Sequence, residues 1–431
     1  VIFRISSSVQ RGFLVSIAFV LAGGLAYSSL RRAVAEHYAA MGTRQGLERA
    51  TELEPNNAYF WYLLGRNWQY SFKDTDEQRA VQDYRKALSL GLRSADTWLD
   101  LAFAYEFQGD QAAAKDAYLE AKKAYPASPE VSWRYGNFLL RQGDVKGAFG
   151  EMHHALEADP ARAREASLLC WRILPDINTL LNSVFPANRD VYLNVIRDFV
   201  SRRETVPALS VWTRLVSLRP QLSLPDTYPL VDELLAQGHV IDAQQVWNEG
   251  LQMSATRLLR NPSDSVLWDG GFEYGVKGSG FAWRYPGGFQ GMQSSFDSHE
   301  KHSGKYSVRL QFNGTQNVDS QEPCAFAAVQ PSTLYRFSAW VKTDSLTSNQ
   351  GLRFRLETPE IPHAPAAVTP DVQGTQPWQE TKMAWKSEKG VHLVVICVCR
   401  YKSWDFDKKV SGIAWVDDVA LSPVAAELGK P

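Results

Sequence analysis

Only four cysteines, Cys170, Cys324, Cys397 and Cys399, occur in 431 residues, too few for a disulfide scaffold. None forms a C-x-x-C pair, which removes a zinc ribbon or thioredoxin-type site from consideration. Neither sign of charge dominates: 46 Lys and Arg face 47 Asp and Glu, for a formal charge of −1. A nucleic-acid binder ordinarily carries a basic surplus or stripe, so no nucleic-acid partner is expected. There is no Gly-rich phosphate loop, nucleophile elbow or H-E-x-x-H sequence. His153, His154 and His239 stand in helical stretches, and His299 and His302 flank a Glu-Lys pair without further donors. No metal is assigned to any of them.

Long uncharged runs are scarce as well, with one exception. "GFLVSIAFVLAGGLAYSSL", residues 12–30, carries no charge and is about long enough to cross a bilayer. Arg4 and Arg11 precede it, and Arg31 and Arg32 follow, so basic flanks do not orient it. A cleaved signal peptide would use the small residues Gly24–Ala26 as its cleavage site. An uncleaved anchor would instead run on as a helix through "RRAVAEHYAAM". The run exceeds a typical signal-peptide core and no helix breaker follows it, which favours the anchor. Residues 1–32 are therefore read as a segment with a transmembrane helix.

Beyond it the sequence resembles itself at a period of 34. Trp98, Leu101, Ala102, Tyr105, Gly109, Ala114, Tyr118, Ala121 and Pro126 mark one unit. Gly136, Gly143, Ala148, Met152, Ala155 and Pro160 repeat its later positions, and Ala80, Tyr84 and Ala87 anticipate them. Trp61, Leu64 and Gly65 open that earlier unit, which has extra residues in "SFKDTDEQ". "GLERATELEPNN" reads as the second helix of a unit before it. Small residues let antiparallel helices approach, large ones fill the gaps between hairpins, and proline ends the second helix. These spacings resemble the tetratricopeptide repeat, most closely over residues 43–160. The resemblance implies an α-solenoid from 33 to 256, divergent in its second half, with a groove for protein partners.

Helical periodicity stops near residue 260, and 257–265 is read as a linker. "KYSVRLQF", "LYRFSAWVKT", "LRFRLE", "WQETKMAWKS", "VHLVVICVCR" and "IAWVDDVAL" read as strands separated by turn-rich segments, the signature of an antiparallel sandwich or jelly roll. "TPEIPHAPAAVTPDVQGTQP" is read as a surface loop without an element. Cys397 and Cys399 share a strand face, and Cys324 could pair with either. The predicted class is thus multidomain α + β: hydrophobic helix, solenoid, a sandwich over 266–423 and a tail at 424–431.

Within that last domain, "DGGFEYG…FAWRY", "HSGKYSVRL", "LYRFSAWVKT" and "WVDDVALSP" resemble, in order, the calcium-containing β-jelly-roll carbohydrate-binding modules. The resemblance implies a structural Ca²⁺ joining first and last strands, held by Glu273 and Asp417 with carbonyls near Asp269 and Lys305; hard oxygen donors suit this ion. It also implies glycan binding. Trp283, Tyr285, Phe289, Trp378, Tyr401 and Trp404 are the candidate stacking rings, with Arg284 and Arg400 as donors. "KSWDF", residues 402–406, is the best loop candidate.

Two adjacent carboxylates, Asp417 and Asp418, then need an account. Strict strand alternation places Trp415, Asp417, Val419 and Leu421 on one face and Val416, Asp418 and Ala420 on the other. Asp417 is expected to point with the apolar set. On that alternation the two acids cannot flank one scissile bond, and the remaining linkers leave no catalytic domain, so no enzyme is expected. The combined reading is a membrane-anchored scaffold of the bacterial envelope, its solenoid binding proteins and its jelly roll a glycan or protein, in surface polysaccharide export or assembly. The alternative is a subunit of an extracellular fibre or oligomer, with the apolar helix packed into a neighbouring copy.

Overall fold

The computed structural model describes residues 8–71, 74–254, 264–275, 278–285, 290–406 and 408–424. Arg4, Phe289, most of the expected linker and nearly all of the tail lie outside them. The chain divides into two compact units, residues 1–191 and 192–431.

The first unit opens with α1 (Ser8–Ala40), one unbroken helix of 33 residues. It is long and apolar enough to cross a membrane, and its apolar stretch is not buried against protein. Its last turns behave differently. Ala35 packs with Ala50 and Phe60, and Arg31 Nε donates to Glu54 Oε1 at 2.8 Å. The end of α1 thereby pairs with α2 (Arg44–Leu53) and supplies the first helix that the sequence pattern had left without a partner.

Three regular hairpins follow: α3 (Ala58–Tyr70) with α4 (Glu77–Ser89), α5 (Ala95–Gln108) with α6 (Gln111–Ala124), and α7 (Pro129–Arg141) with α8 (Val145–Ala158). Local chemistry sets their ends. Gly109 adopts φ +78° to close α5, and Asp110 starts α6 by accepting from the Ala113 N–H. Gly143 and Asp144 do the same one repeat later. Gly65 is small because a Cβ there would lie 2.8 Å from the Tyr84 ring, which fixes how closely α3 and α4 approach. One continuous core, including Tyr84, Ala102, Tyr118 and Phe138, runs through these hairpins, as stacked repeats require. The regular pairing then relaxes into α9 (Ala163–Ile173) and α10 (Ile177–Ser183).

The boundary between units falls within α11 (Arg189–Ser201) and not at the end of the helices. α12 (Thr205–Ser217), α13 (Tyr228–Ala236) and α14 (Val240–Met253) belong with the sandwich. The cause is an aromatic joint. Trp247 of α14 meets Trp268 edge-on at 5.3 Å and Phe281 at 5.9 Å. Gly280 admits it, since a Cβ there would lie 2.5 Å from the indole. Asp232 of α13 accepts from the Gly280 N–H at 2.7 Å.

The sandwich has nine strands among the described residues: β1 (Met292–Asp297), β2 (Ser307–Asn313), β3 (Ser320–Ala328), β4 (Leu334–Leu346), β5 (Arg353–Glu357), β6 (Ala367–Val368), β7 (Gly374–Lys386), β8 (Leu393–Arg400) and β9 (Ser411–Pro423). One sheet has the order β1-β2-β9-β4-β7 and the other β3-β8-β5-β6, with antiparallel neighbours throughout. Leu310, Phe337, Val341 and Val416 of the first sheet bury against Ala325, Phe354, Ile396 and Val398 of the second. The multidomain α + β class read from the sequence is the one observed. Three strands escaped that reading. β6 lies inside the segment expected to be a plain loop. β3 holds Pro323 at a register irregularity on a sheet edge, where proline's missing donor is tolerated. Cys324 pairs with Cys397 directly across β3 and β8, and Cys399 stays a buried free thiol.

Candidate functional site

The first candidate region is a face of the helical unit. Tyr70 of α3, Phe103 of α5, Trp133, Arg134, Asn137 and Arg141 of α7, and Arg162 beyond α8 line a cavity of about 420 Å³. Behind it lies a polar network centred on Asp100 of α5, which is almost wholly buried. Its carboxylate accepts from Tyr62 at 3.3 Å and Tyr70 at 3.2 Å, and lies near Arg66 and Arg134. Gln69 donates to the Asp100 carbonyl and accepts from Tyr84 Oη at 2.6 Å. Burial pushes Asp100 upward despite the two guanidiniums, and burial also lifts Tyr62 and Tyr70 to about 12. The network ties three successive hairpins together and holds the wall of the cavity in place. Nothing in the repeat pattern marked Asp100, because a lone acid between Leu99 and Leu101 carries no motif.

At the rim, cations and carboxylates alternate. Arg141 pairs with Glu106 at 2.8 Å, Arg134 with Glu130 at 2.7 Å, and Arg162 with Glu130 at 2.7 Å. The arrangement offers flat rings for stacking and guanidinium donors that an incoming carboxylate can share.

The second region is the clamp between the two ends of the sandwich. The segment before β1 reaches β9 through Val266 N to Leu421 O at 2.8 Å and Val419 N to Gly270 O at 2.9 Å. Here the expected alternation fails. Ala414, Val416, Val419 and Leu421 all enter the core, so Asp417 points away from it, opposite to expectation. The reason is a bulge. β4 loses one residue against β9 between Ser338 and Trp340, and Asp418 takes φ +46°, which shifts parity by one. Both carboxylates then meet residues 302–303. Asp417, fully buried, accepts from His302 N at 2.8 Å, Ser303 N at 3.1 Å and Asp418 N at 2.8 Å. Asp418 accepts from Ser303 Oγ at 2.8 Å and contacts His302 Nδ1 at 2.6 Å. Burial outweighs these amides and lifts Asp417 to about 6.

The residues expected to hold calcium lie around this clamp. Glu273 Oε1 accepts from Lys305 N at 2.7 Å, so Lys305 offers this acid its N–H and not its carbonyl. Asp269 accepts from the N–H groups of Glu273 and Tyr274, and burial raises it to about 7. Peptide N–H groups thus reach Asp417, Asp269 and one oxygen of Glu273. No group of three or more His, Cys, Asp or Glu side chains among the described residues is placed to hold a metal.

The expected glycan set is dispersed. Trp283 is core: its indole N–H donates to Asp269 O at 2.9 Å and its ring packs on Phe272. Arg284 lies over the Phe326 ring and pairs with Asp232 at the joint. Tyr285 packs against the sandwich core beside Phe296. Arg400, only 1% exposed, is spent on Val318 O, Asn317 and Ser348. Tyr401 is half-buried under Arg353. Trp378 is half-buried and meets His302 edge-on. Among the described members of the set, Trp404 alone stands free in solvent. Six rings and donors drawn into packing do not make one platform.

No family model matches the chain. Tetratricopeptide repeat protein 37 of Xenopus laevis is 24% identical over 231 residues, covering 43% of this chain and 14% of that protein. The chain therefore matches only a small part of that relative's length. Among solved structures, YrrB, a TPR protein with an unusual peptide-binding site, is 14% identical, covering 49% of this chain and 93% of its own with a TM-score of 0.26. Yeast Tom70 is 17% identical over 47% of this chain and 43% of its own, with a TM-score of 0.29. The tetratricopeptide-type solenoid stands on the 34-residue spacing and the helix pairing, with which the curated relative agrees.

Proposed function

We propose that this protein is a non-catalytic, membrane-anchored interaction scaffold whose solenoid takes an extended peptide segment of a partner protein. The observation that carries the reading is the cavity bounded by Tyr70, Phe103, Trp133 and Arg141 on the first helices of consecutive hairpins. An extended segment laid across them would stack an aromatic or proline side chain on the rings. It would also exchange a carboxylate for Glu106 or Glu130 at a guanidinium. The buried Asp100 network keeps this wall preorganised, which lowers the ordering cost of binding.

The anchor is α1, which leaves the solenoid without a break and exposes its apolar residues. The Cys324–Cys397 pair supports placing the sandwich on an oxidising side of that membrane, as in a bacterial periplasm or cell surface.

Selection of displayed peptides on the detergent-solubilised chain tests the groove. Recovered peptides should share an acidic residue next to an aromatic or proline, and should lose at least about tenfold in affinity against Phe103→Ala or Arg141→Glu. Peptides that bind both variants like the parent would overturn the reading.

A further inference from the structure

The loop joining β8 to β9 presents the most exposed rings of the sandwich. Trp404 is 94% and Phe406 105% exposed. Large apolar groups held this far into water point to a partner elsewhere, because leaving them hydrated forfeits the free energy of their burial. The loop does not hold them there for want of structure. Ser403, buried beneath, donates from its N–H to Asn317 Oδ1 at 3.0 Å and from its hydroxyl to Asn349 Oδ1 at 2.7 Å. Asn317 Nδ2 returns a bond to Ser403 O at 2.8 Å, and Asp405 N donates to Ser403 Oγ at 3.1 Å. On the far side Val410, fully buried, is fixed by Gln316 O at 3.1 Å. A pinned base therefore projects the two rings.

We infer that this loop is a second, interfacial membrane contact, with Trp404 and Phe406 entering the headgroup region of a phospholipid bilayer. Three observations select lipid as the occupant. Exposed lysines stand on both sides of the rings, Lys408 and Lys409 after them and Lys402 before, the last within 3.9 Å of Asp319, against Asp405 and Asp407 in the same stretch. Tryptophan and phenylalanine with a basic rim suit the bilayer interface. The same chain also carries α1, so the inference rests on the anchor reading. Two rings alone bind a membrane weakly, and a tethered bilayer supplies the effective concentration that makes them count. The anchor holds the chain to the membrane, and the loop would set which end of the sandwich faces it.

The test uses the full chain reconstituted in nanodiscs of phosphatidylcholine, with and without phosphatidylglycerol. An environment-sensitive fluorophore is placed on Phe406→Cys, and in a separate sample on Phe19→Cys within α1. The native free thiols Cys170 and Cys399 are buried and stay unlabelled. Spin-labelled lipid should quench the Phe406 position about twofold, more strongly with phosphatidylglycerol, and Lys408→Glu with Lys409→Glu should reverse that gain. Quenching at Phe19 but not at Phe406 keeps the anchor and overturns the loop contact. Quenching at neither position overturns both. A blue shift at Phe406 without lipid quenching assigns the rings to a protein surface and overturns the lipid occupant.

Discussion

His302 lies flat on Trp340, with ring centroids 3.7 Å apart and planes 13° from parallel. The same imidazole contacts Asp418 through Nδ1. One side chain thus links the bulge of β9 to the outer face of β4. Replacing His302 with Ala should destabilise the sandwich by about 1–2 kcal/mol, and His302→Phe, which keeps the stack, should recover roughly half of that. Chemical denaturation followed by tryptophan fluorescence reads both.

Asp417 is the stronger clamp, because it accepts three peptide N–H groups out of reach of water. Asp417→Ala should cost about 2–4 kcal/mol and Asp418→Ala, at the rim, about 1 kcal/mol. Since peptide N–H groups already fill three acceptor positions on Asp417, adding a calcium chelator should leave the melting temperature of the parent unchanged. A fall on chelation that Ca²⁺ restores would place the cation in this clamp.

The approach of the first segment to β9 depends on one residue without a side chain. A Cβ on Gly270 would lie 1.7 Å from the Val419 carbonyl oxygen. Gly270→Ala should force the segment off β9 and cost at least about 3 kcal/mol, whereas Gly271→Ala, whose Cβ meets nothing closer than 3.6 Å, should be nearly silent. Limited proteolysis ahead of β1 distinguishes the two.

In the helical unit, burial lifts Asp83 to about 7, and its Oδ2 has no hydrogen-bond partner in the structure. The folded value lies above the unfolded 3.8, so the unfolded chain releases this proton first. Stability is lost as pH rises from about 4 to about 7 and stays lower above that. Asp83→Asn should therefore raise stability by roughly 1–2 kcal/mol at pH 8 and change little near pH 3. Thermal melts of the two proteins across that range provide the check.

Patterns that repeat were legible in advance. The hairpins of 43–160 follow from small and large residues at fixed spacing, and α1 from an uncharged run. The sandwich class followed from alternating strands, and the possible pairing of Cys324 from its chemistry. What escaped was conformational. No periodic rule announces that Asp418 adopts a left-handed conformation, and that single dihedral reverses which face Asp417 takes. Trp283, Tyr285 and Arg400 looked available because their residue types bind sugars, but side-chain type does not report burial. Asp100 was missed because its role depends on Tyr62 and Tyr70 of one neighbouring hairpin and Arg134 of the other, which only the fold brings together.

The joint between Trp247 and the Trp268–Phe281 surface has a consequence for how this gene can be cut and recombined. A fragment beginning at the compositional change near residue 260 would strip the indole from its socket and leave Asp232's partners, Gly280 N and Arg284, facing water. Such a fragment should misfold or aggregate, whereas one starting ahead of α12 carries its own lid. The unit of inheritance for the sandwich is longer than its strands.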